Sequence, residues 1–298
     1  MLQEASFTVR QRIAGYVALT KPRIIELLLI TTVPTQIVAA RGMPPFWLMV
    51  NTVLGGTLAA GGANAINMYV DRDIDRVMER TKGRPLVTGV MTPRAALTFA
   101  IAIEVVAFAW LWYWVNLLSA VLAVGACLFY VFVYTLWLKR TSTHNIVIGG
   151  AAGAAPVLIG WSSVTNDLSW APIVLFALMF YWTPPHFWAL AIKYKDDYAS
   201  VDVPMLPSVA SLKTTAQRML VYTVILWGLS LLFSVVGDMG PVYLVSALVL
   251  GGLFTAMTVK LWLEPSTKLA MRVFTYSITY ITLLFGAMAL DQFVANAR

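Results

Sequence analysis

Residues 46–80 read FWLMVNTVLGGTLAAGGANAINMYVDRDIDRVMER. Residues 46–68 form an apolar run of the length that a helix needs to cross about 30 Å of hydrocarbon. At its end the run delivers a polar segment, Asn64-Ala-Ile-Asn67-Met-Tyr-Val-Asp71-Arg-Asp-Ile-Asp75-Arg-Val-Met-Glu79-Arg80, to one membrane boundary. The same contrast holds along the whole chain. Of its 298 residues 59% are hydrophobic and 12% charged, and the mean hydropathy is +0.76. A soluble domain carries about 25% charged residues, and one soluble core of this size cannot hide so much apolar surface. Disorder needs the opposite composition. The expected fold class is an all-α integral membrane protein, a single domain over residues 1–298, because only helices or closed barrels satisfy their backbone within lipid.

Hydropathy places nine spans, at about 24–40, 46–68, 95–114, 117–137, 145–164, 170–191, 219–236, 241–262 and 273–293. The third and fourth are separated only near Asn116. Cytoplasmic loops collect Lys and Arg. With the N-terminus inside, nineteen of the 21 basic residues fall on one side and only Arg41 and Arg298 on the other. Nine spans thus predict a cytoplasmic N-terminus and an outside C-terminus. The net charge of +7 then reads as topology rather than nucleic-acid binding. Two loops on the basic side, about 69–94 and 192–218, are longer than the rest, so the active site is expected there. Cys127 is the only cysteine, which excludes a disulfide or a cysteine-based metal site within the chain. No cleavable leader is visible at residues 1–22, and a bacterial inner membrane is the expected location.

If the helix of span two continues, Asn67, Asp71 and Asp75 share one face. Two carboxylates there, at an already negative helix C-terminus, ask for a cation. An oxygen-only set selects a hard ion such as Mg²⁺, usually shared with substrate phosphates. The plainer alternative is a solvated helix extension in which Arg72 pairs with Asp75, or Asp73 with Arg76. Arg80 and Arg84 follow directly, and Lys21 and Arg23 open span one. Guanidinium groups suit diphosphate oxygens, although retention by topology explains part of this set.

A second polar cluster closes span six: Thr183-Pro-Pro-His186-Phe-Trp-Ala-Leu-Ala-Ile-Lys193-Tyr-Lys-Asp196-Asp197-Tyr198. His186, Lys193 and Asp197 fall on one helical face, with His186 about 10 Å deeper than Lys193. His144 and His186 are the only histidines; each reads as a ligand or as a packing residue. Gly149, Gly150 and Gly153 read as close helix packing. Glu104 is a carboxyl inside an apolar span without an evident partner.

Nine spans with Asn67-x-x-x-Asp71-x-x-x-Asp75 after the second resemble the UbiA-type intramembrane prenyltransferases over essentially the whole chain. The narrower pattern Trp182-Thr-Pro-Pro-His-Phe-Trp188, Lys193-Tyr-Lys-Asp-Asp-Tyr198 and Pro204-Met-Leu-Pro207 resembles the haem-farnesylating branch. This resemblance implies transfer of farnesyl from farnesyl diphosphate to a vinyl group of haem b, with water addition, giving haem O. It implies Mg²⁺ held by Asp71 and Asp75 with Asn67 and Asp197. It implies diphosphate contacts from Arg80, Arg84, Lys193, Lys21 and Arg23. His186, His144 and Tyr198 join the expected substrate-binding set. Haem b is then a substrate rather than a cofactor, the lipid bilayer is a partner, and a haem-modifying or oxidase-assembly partner is expected downstream.

One position departs from the family. Many relatives carry a second Asp-x-x-x-Asp after span six, where this chain has Lys193-x-x-x-Asp197. Lys193 is therefore expected to contact diphosphate directly, and Asp197 to bind metal or orient the lysine. The competing readings are prenylation of an aromatic quinone precursor, a transporter using intramembrane carboxyls, and a haem-binding assembly factor.

Overall fold

A computed structural model describes residues 7–296, apart from the side chains at 23–25, 27–29 and 295–296. No strand occurs among the described residues. A short helix, α1 (Val9–Leu19), precedes α2 (Arg23–Ala39), α3 (Phe46–Val70) and α4 (Pro93–Trp114). Next come α5 (Leu117–Leu128), a π-helical stretch over Phe129–Leu138, and α6 (Lys139–Thr141), which together make one continuous rod. The chain goes on through α7 (Asn145–Thr165), α8 (Trp170–Lys193), α9 (Lys195–Ala199) and α10 (Leu206–Val209). It ends with α11 (Leu212–Val236), α12 (Pro241–Leu263) and α13 (Thr267–Asn296).

Among the described residues eight helices are long and apolar enough to cross a membrane: α3, α4, the α5–α6 rod, α7, α8, α11, α12 and α13. The expected first span, α2, is 17 residues long. It buries Thr31, Thr32, Thr35 and Gln36 against its neighbours. The chain is a multi-pass helical membrane protein.

The boundary near Asn116 is built by its side chain. Asn116 Oδ1 accepts the Ser119 N–H at 2.8 Å while its amide donates to the Ser162 carbonyl at 2.7 Å. This N-cap also ties the turn to α7. At the same end Gln36 donates to Thr52 and Ser163, at 3.1 and 2.9 Å. Asp291, buried on α13, accepts the backbone N–H groups of Gly240, Val242 and Tyr243 and so caps α12. The largest core cluster takes residues from α7, α8, α11, α12 and α13, and a smaller one joins α1, α3 and α4.

The two long loops lie at the opposite end. The first carries 3₁₀ turns at Ile74–Arg76 and Glu79–Thr81, and the second carries α9 and α10. They meet where Asp197 accepts the N–H groups of Glu79 and Arg80, at 3.3 and 3.1 Å.

Candidate active site

The α-helix expected to run through Asp75 stops at Val70. Asp71 is its C-cap, at φ −81° and ψ 3°, and the chain then tightens into the 3₁₀ turn that holds Asp75. Two anions stacked at a helix C-terminus oppose continuation. The break nevertheless keeps the triad together, because the Asp75 N–H bonds the Asp71 carbonyl at 2.9 Å. Asn67, Asp71 and Asp75 are all buried.

Each member has its own cation. Lys139 pairs with Asp71 and Arg84 with Asp75. The Asn67 amide donates to Asp71 Oδ2 at 2.8 Å and to Thr135 Oγ1 at 3.1 Å, while its Oδ1 accepts from Lys21 Nζ at 3.1 Å. Arg140 grips both oxygens of Asp73, at 2.7 and 2.8 Å, and that grip holds the Asp73 carboxyl down to about 2. Neither expected surface pair forms among the described residues: Asp73 is held by Arg140 rather than Arg76, and the Arg72 guanidinium lies 4.5 Å from the Tyr69 ring.

Lys139 and Arg140 are the functional candidates that sequence reading missed, having been assigned to topology. Their signal is a Lys-Arg pair closing an apolar span at the same membrane end as the acidic run. The π-helical stretch ahead of them is wider than an α-helix, and such segments concentrate at functional sites. Within it Thr135 Oγ1 donates to the Tyr130 carbonyl five residues back, at 2.8 Å.

Lys21 occupies the position just beyond the α1 C-cap and is left-handed, at φ 51°. Helices usually place glycine there, so a lysine implies that its side chain is wanted. Burial, reinforced by Arg84 and Lys139 and partly offset by Asp71 and Asp75, pulls its ammonium down to about 7. The Arg23 side chain and the terminal Arg298 lie outside the described residues.

Arg80, Lys193 and Asp197 form a separate group lining a groove of about 380 Å³ with Glu79, Tyr194 and Asp196. Arg80 lies 5.7 Å from the Tyr194 ring and 6.0 Å from the Tyr198 ring, and Lys193 lies 5.4 Å from Tyr194. Burial raises the Tyr198 hydroxyl, against the pull of Arg80 and Arg84. The shared helical face expected for His186, Lys193 and Asp197 is interrupted, since α8 ends at Lys193 and Asp197 sits on α9. Asp197 clasps the first loop through backbone N–H groups.

His186 is buried and stacks on Trp182 with centroids 4.3 Å apart. Its Nδ1 lies 2.7 Å from Ser277 Oγ, whose own proton goes to the Phe274 carbonyl at 2.6 Å. Nδ1 therefore carries the ring proton and Nε2 the lone pair. His144 is exposed at the start of α7, so the two histidines are in different environments. Glu104 packs against Gly62, where a β-carbon would stand 2.5 Å from its Oε1.

Asp71 Oδ1 is buried without a hydrogen-bond partner, 3.8 Å from the Arg140 guanidinium. Among the described residues no three His, Cys, Asp or Glu side chains converge as a self-sufficient metal cage. Two carboxylates and an amide, one oxygen uncommitted, fit an ion that completes its shell with substrate phosphates.

Residues 28–286 match the model of the UbiA prenyltransferase family. A protohaem IX farnesyltransferase from Streptomyces avermitilis is 53% identical over 289 residues, 95% of each chain. One from a Parafrankia species is 54% identical over 93% of this chain and 90% of its own. Among solved structures, a digeranylgeranylglyceryl phosphate synthase superposes with a TM-score of 0.77 at 17% identity, over 94% of this chain and 98% of its own. A UbiA homologue from Archaeoglobus fulgidus bound to DMAPP and Mg²⁺ gives 0.63 at 17% identity, over 91% of this chain and all of its own. A buried Asn-Asp-Asp set with dedicated cations, on a multi-pass helical bundle with these relatives, leads to one conclusion: the chain belongs to the UbiA prenyltransferase family.

Proposed function

We propose that this chain transfers farnesyl from farnesyl diphosphate to a vinyl group of haem b, with addition of water, to give haem O. The observation that carries the proposal is the compensated triad: two buried carboxylates, each paired with its own cation, at the loop end of an apolar bundle. Roughly 50% identity to protohaem IX farnesyltransferases along nearly the full length supports the acceptor.

Asn67, Asp71 and Asp75 hold Mg²⁺, which when bound supplies Lewis-acid neutralisation of the diphosphate. Lys139, Arg84 and Lys21 exchange part of their carboxylate and amide contacts for diphosphate oxygens, so positive charge meets the leaving group as it develops. The C–O bond of farnesyl diphosphate breaks with its electron pair leaving on diphosphate. The vinyl π-electrons add to the allylic cation, and water captures the resulting cation and loses a proton. The apolar bundle keeps water from the first cation. Arg80, Lys193 and Tyr198 line the approach, with Asp197 holding the two loops together. Of the two histidines, His186 is the better iron donor, since Ser277 fixes its tautomer in the manner of an outer partner to a ligating imidazole.

Counting α2 as a span makes nine, and the charge asymmetry then places the N-terminus and both loops in the cytoplasm and the C-terminus outside. The membrane is a bacterial plasma membrane, with a haem-modifying or oxidase-assembly partner receiving the product.

The test is purified protein with farnesyl diphosphate, haem b and Mg²⁺, read by product mass. A farnesyl-plus-water adduct that disappears with chelator or with Asp71→Asn supports the proposal. Transfer to an aromatic quinone precursor instead moves the acceptor, and no transfer to any acceptor by folded protein overturns the proposal.

A further inference from the structure

The helix α1 has two apolar surfaces, and the bundle uses only one. On the first, Gly15 and Leu19 are buried and Tyr16 meets Phe99 in a tilted ring contact with centroids 4.8 Å apart. A β-carbon at Gly15 would stand 3.1 Å from Val90 and 3.3 Å from Met91, so α1 lies tightly on the chain that leads into α4. The second surface is the stripe Val9, Ile13 and Val17, spaced by four and therefore aligned, with exposures of 75%, 59% and 52%. Arg10 and Arg12 are exposed beside it. A capping box between Thr8 and Gln11 fixes the start of the helix.

Height in the bundle limits what can cover that stripe. The neighbours of α1 are the last turns of α3, the loop before α4 and the first turns of α4, at the end of the bundle that carries the active site, so α1 lies level with the lipid headgroups of that leaflet. A helix with an apolar stripe and flanking arginines at this depth fits the boundary between headgroups and acyl chains. The arginines give the surface a sign, because basic residues at a leaflet favour anionic lipid.

We infer that α1 is an interfacial anchor. Its Val9-Ile13-Val17 stripe lies in the acyl boundary of the leaflet on the active-site side, and Arg10 and Arg12 engage anionic phospholipid headgroups. The anchor has a direct line to the active site. Two residues beyond Leu19 the chain turns left-handed at Lys21, whose ammonium reaches Asn67. The seating of α1 on the membrane therefore sets the position of an active-site cation.

The inference is testable without substrate, on the full-length protein in vesicles. In a Cys127→Ser background, an environment-sensitive fluorophore is attached to Ile13→Cys or, on a different face, to Ala14→Cys. Quenching by shallowly brominated lipid is compared with quenching by aqueous iodide. The anchor predicts strong lipid quenching and weak iodide quenching at position 13, and the reverse at position 14. Equal iodide access at both positions overturns it. Adding phosphatidylglycerol to phosphatidylcholine vesicles should enlarge the lipid-seated population by about fivefold per arginine, and Arg10→Gln with Arg12→Gln should abolish that response. Lipid quenching that ignores phosphatidylglycerol overturns the anionic-lipid part of the inference.

Discussion

Replacing Lys21 with glycine separates the structural and chemical demands on one residue. A left-handed backbone costs a non-glycine residue about 1–2 kcal/mol, and Lys21 carries that strain at φ 51°. Glycine removes the strain but adds about 0.5–1 kcal/mol through the freer unfolded chain. Losing the 3.1 Å contact to Asn67 costs about 1 kcal/mol more. These terms nearly cancel, so the apparent melting temperature of Lys21→Gly in detergent should stay within about 3 °C of the parent. The reaction gets no such compensation. One charge-assisted contact to the leaving group is worth about 1.5–3 kcal/mol, which corresponds to a fall in kcat/KM of roughly 10- to 150-fold. The assay is initial-rate product formation by mass, beside a melting curve on the same sample. Lys21→Arg keeps the charge and should recover part of the rate. A glycine variant that melts normally and turns over within about twofold of the parent would refute the assignment of Lys21 to the site.

Lys139→Met and Asp71→Asn should each abolish product formation. Lys139→Met should also lower stability by about 3–5 kcal/mol, because it strands a buried carboxylate; the double variant should recover much of that stability and none of the turnover, and additive melting shifts would disprove the pairing. Asp291→Ala leaves three N–H groups at the start of α12 unpaired and should cost about 1–3 kcal/mol with kcat/KM unchanged; a loss of rate at full stability would contradict a purely capping role. On α7, Gly150→Ala drives a β-carbon to 2.9 Å from Thr183, whereas Gly153 has nothing within 4 Å. The first should therefore destabilise by about 1–3 kcal/mol, and Gly153→Ala should be neutral or stabilising by up to about 1 kcal/mol, as read from paired melting curves.

Composition and spacing were enough for the membrane class, the Asn67-Asp71-Asp75 triad and the two long loops, because solvent transfer and local charge density leave their mark on the linear chain. The partners of the triad left no such mark. Lys139 stands 68 residues from Asp71, and a basic pair at a span end looks the same whether it retains topology or neutralises a carboxylate. The end of α3 at Val70 was equally hidden, since neither glycine nor proline stands there and the break follows from electrostatics in three dimensions. Small residues on α7 suggested close packing as a stripe. The structure divides them into Gly149 and Gly150, which are pressed by Tyr134 and Thr183, and Gly153, which is open.

The ten π-helical residues Phe129–Leu138 make chain length, rather than side-chain identity, the sensitive variable in this stretch. A wide helix holds slack, and a one-residue deletion could be absorbed by relaxation to the ordinary pitch with the span intact. In an α-helix such as α12 the same deletion would turn every following side chain by about 100° and spoil its packing. Here the fold would survive, with Lys139, the first residue beyond the stretch, shifted slightly against Asp71 rather than swung away. Insertions and deletions, normally the harshest changes a membrane span can suffer, become at this one place a fine adjustment of an active-site cation.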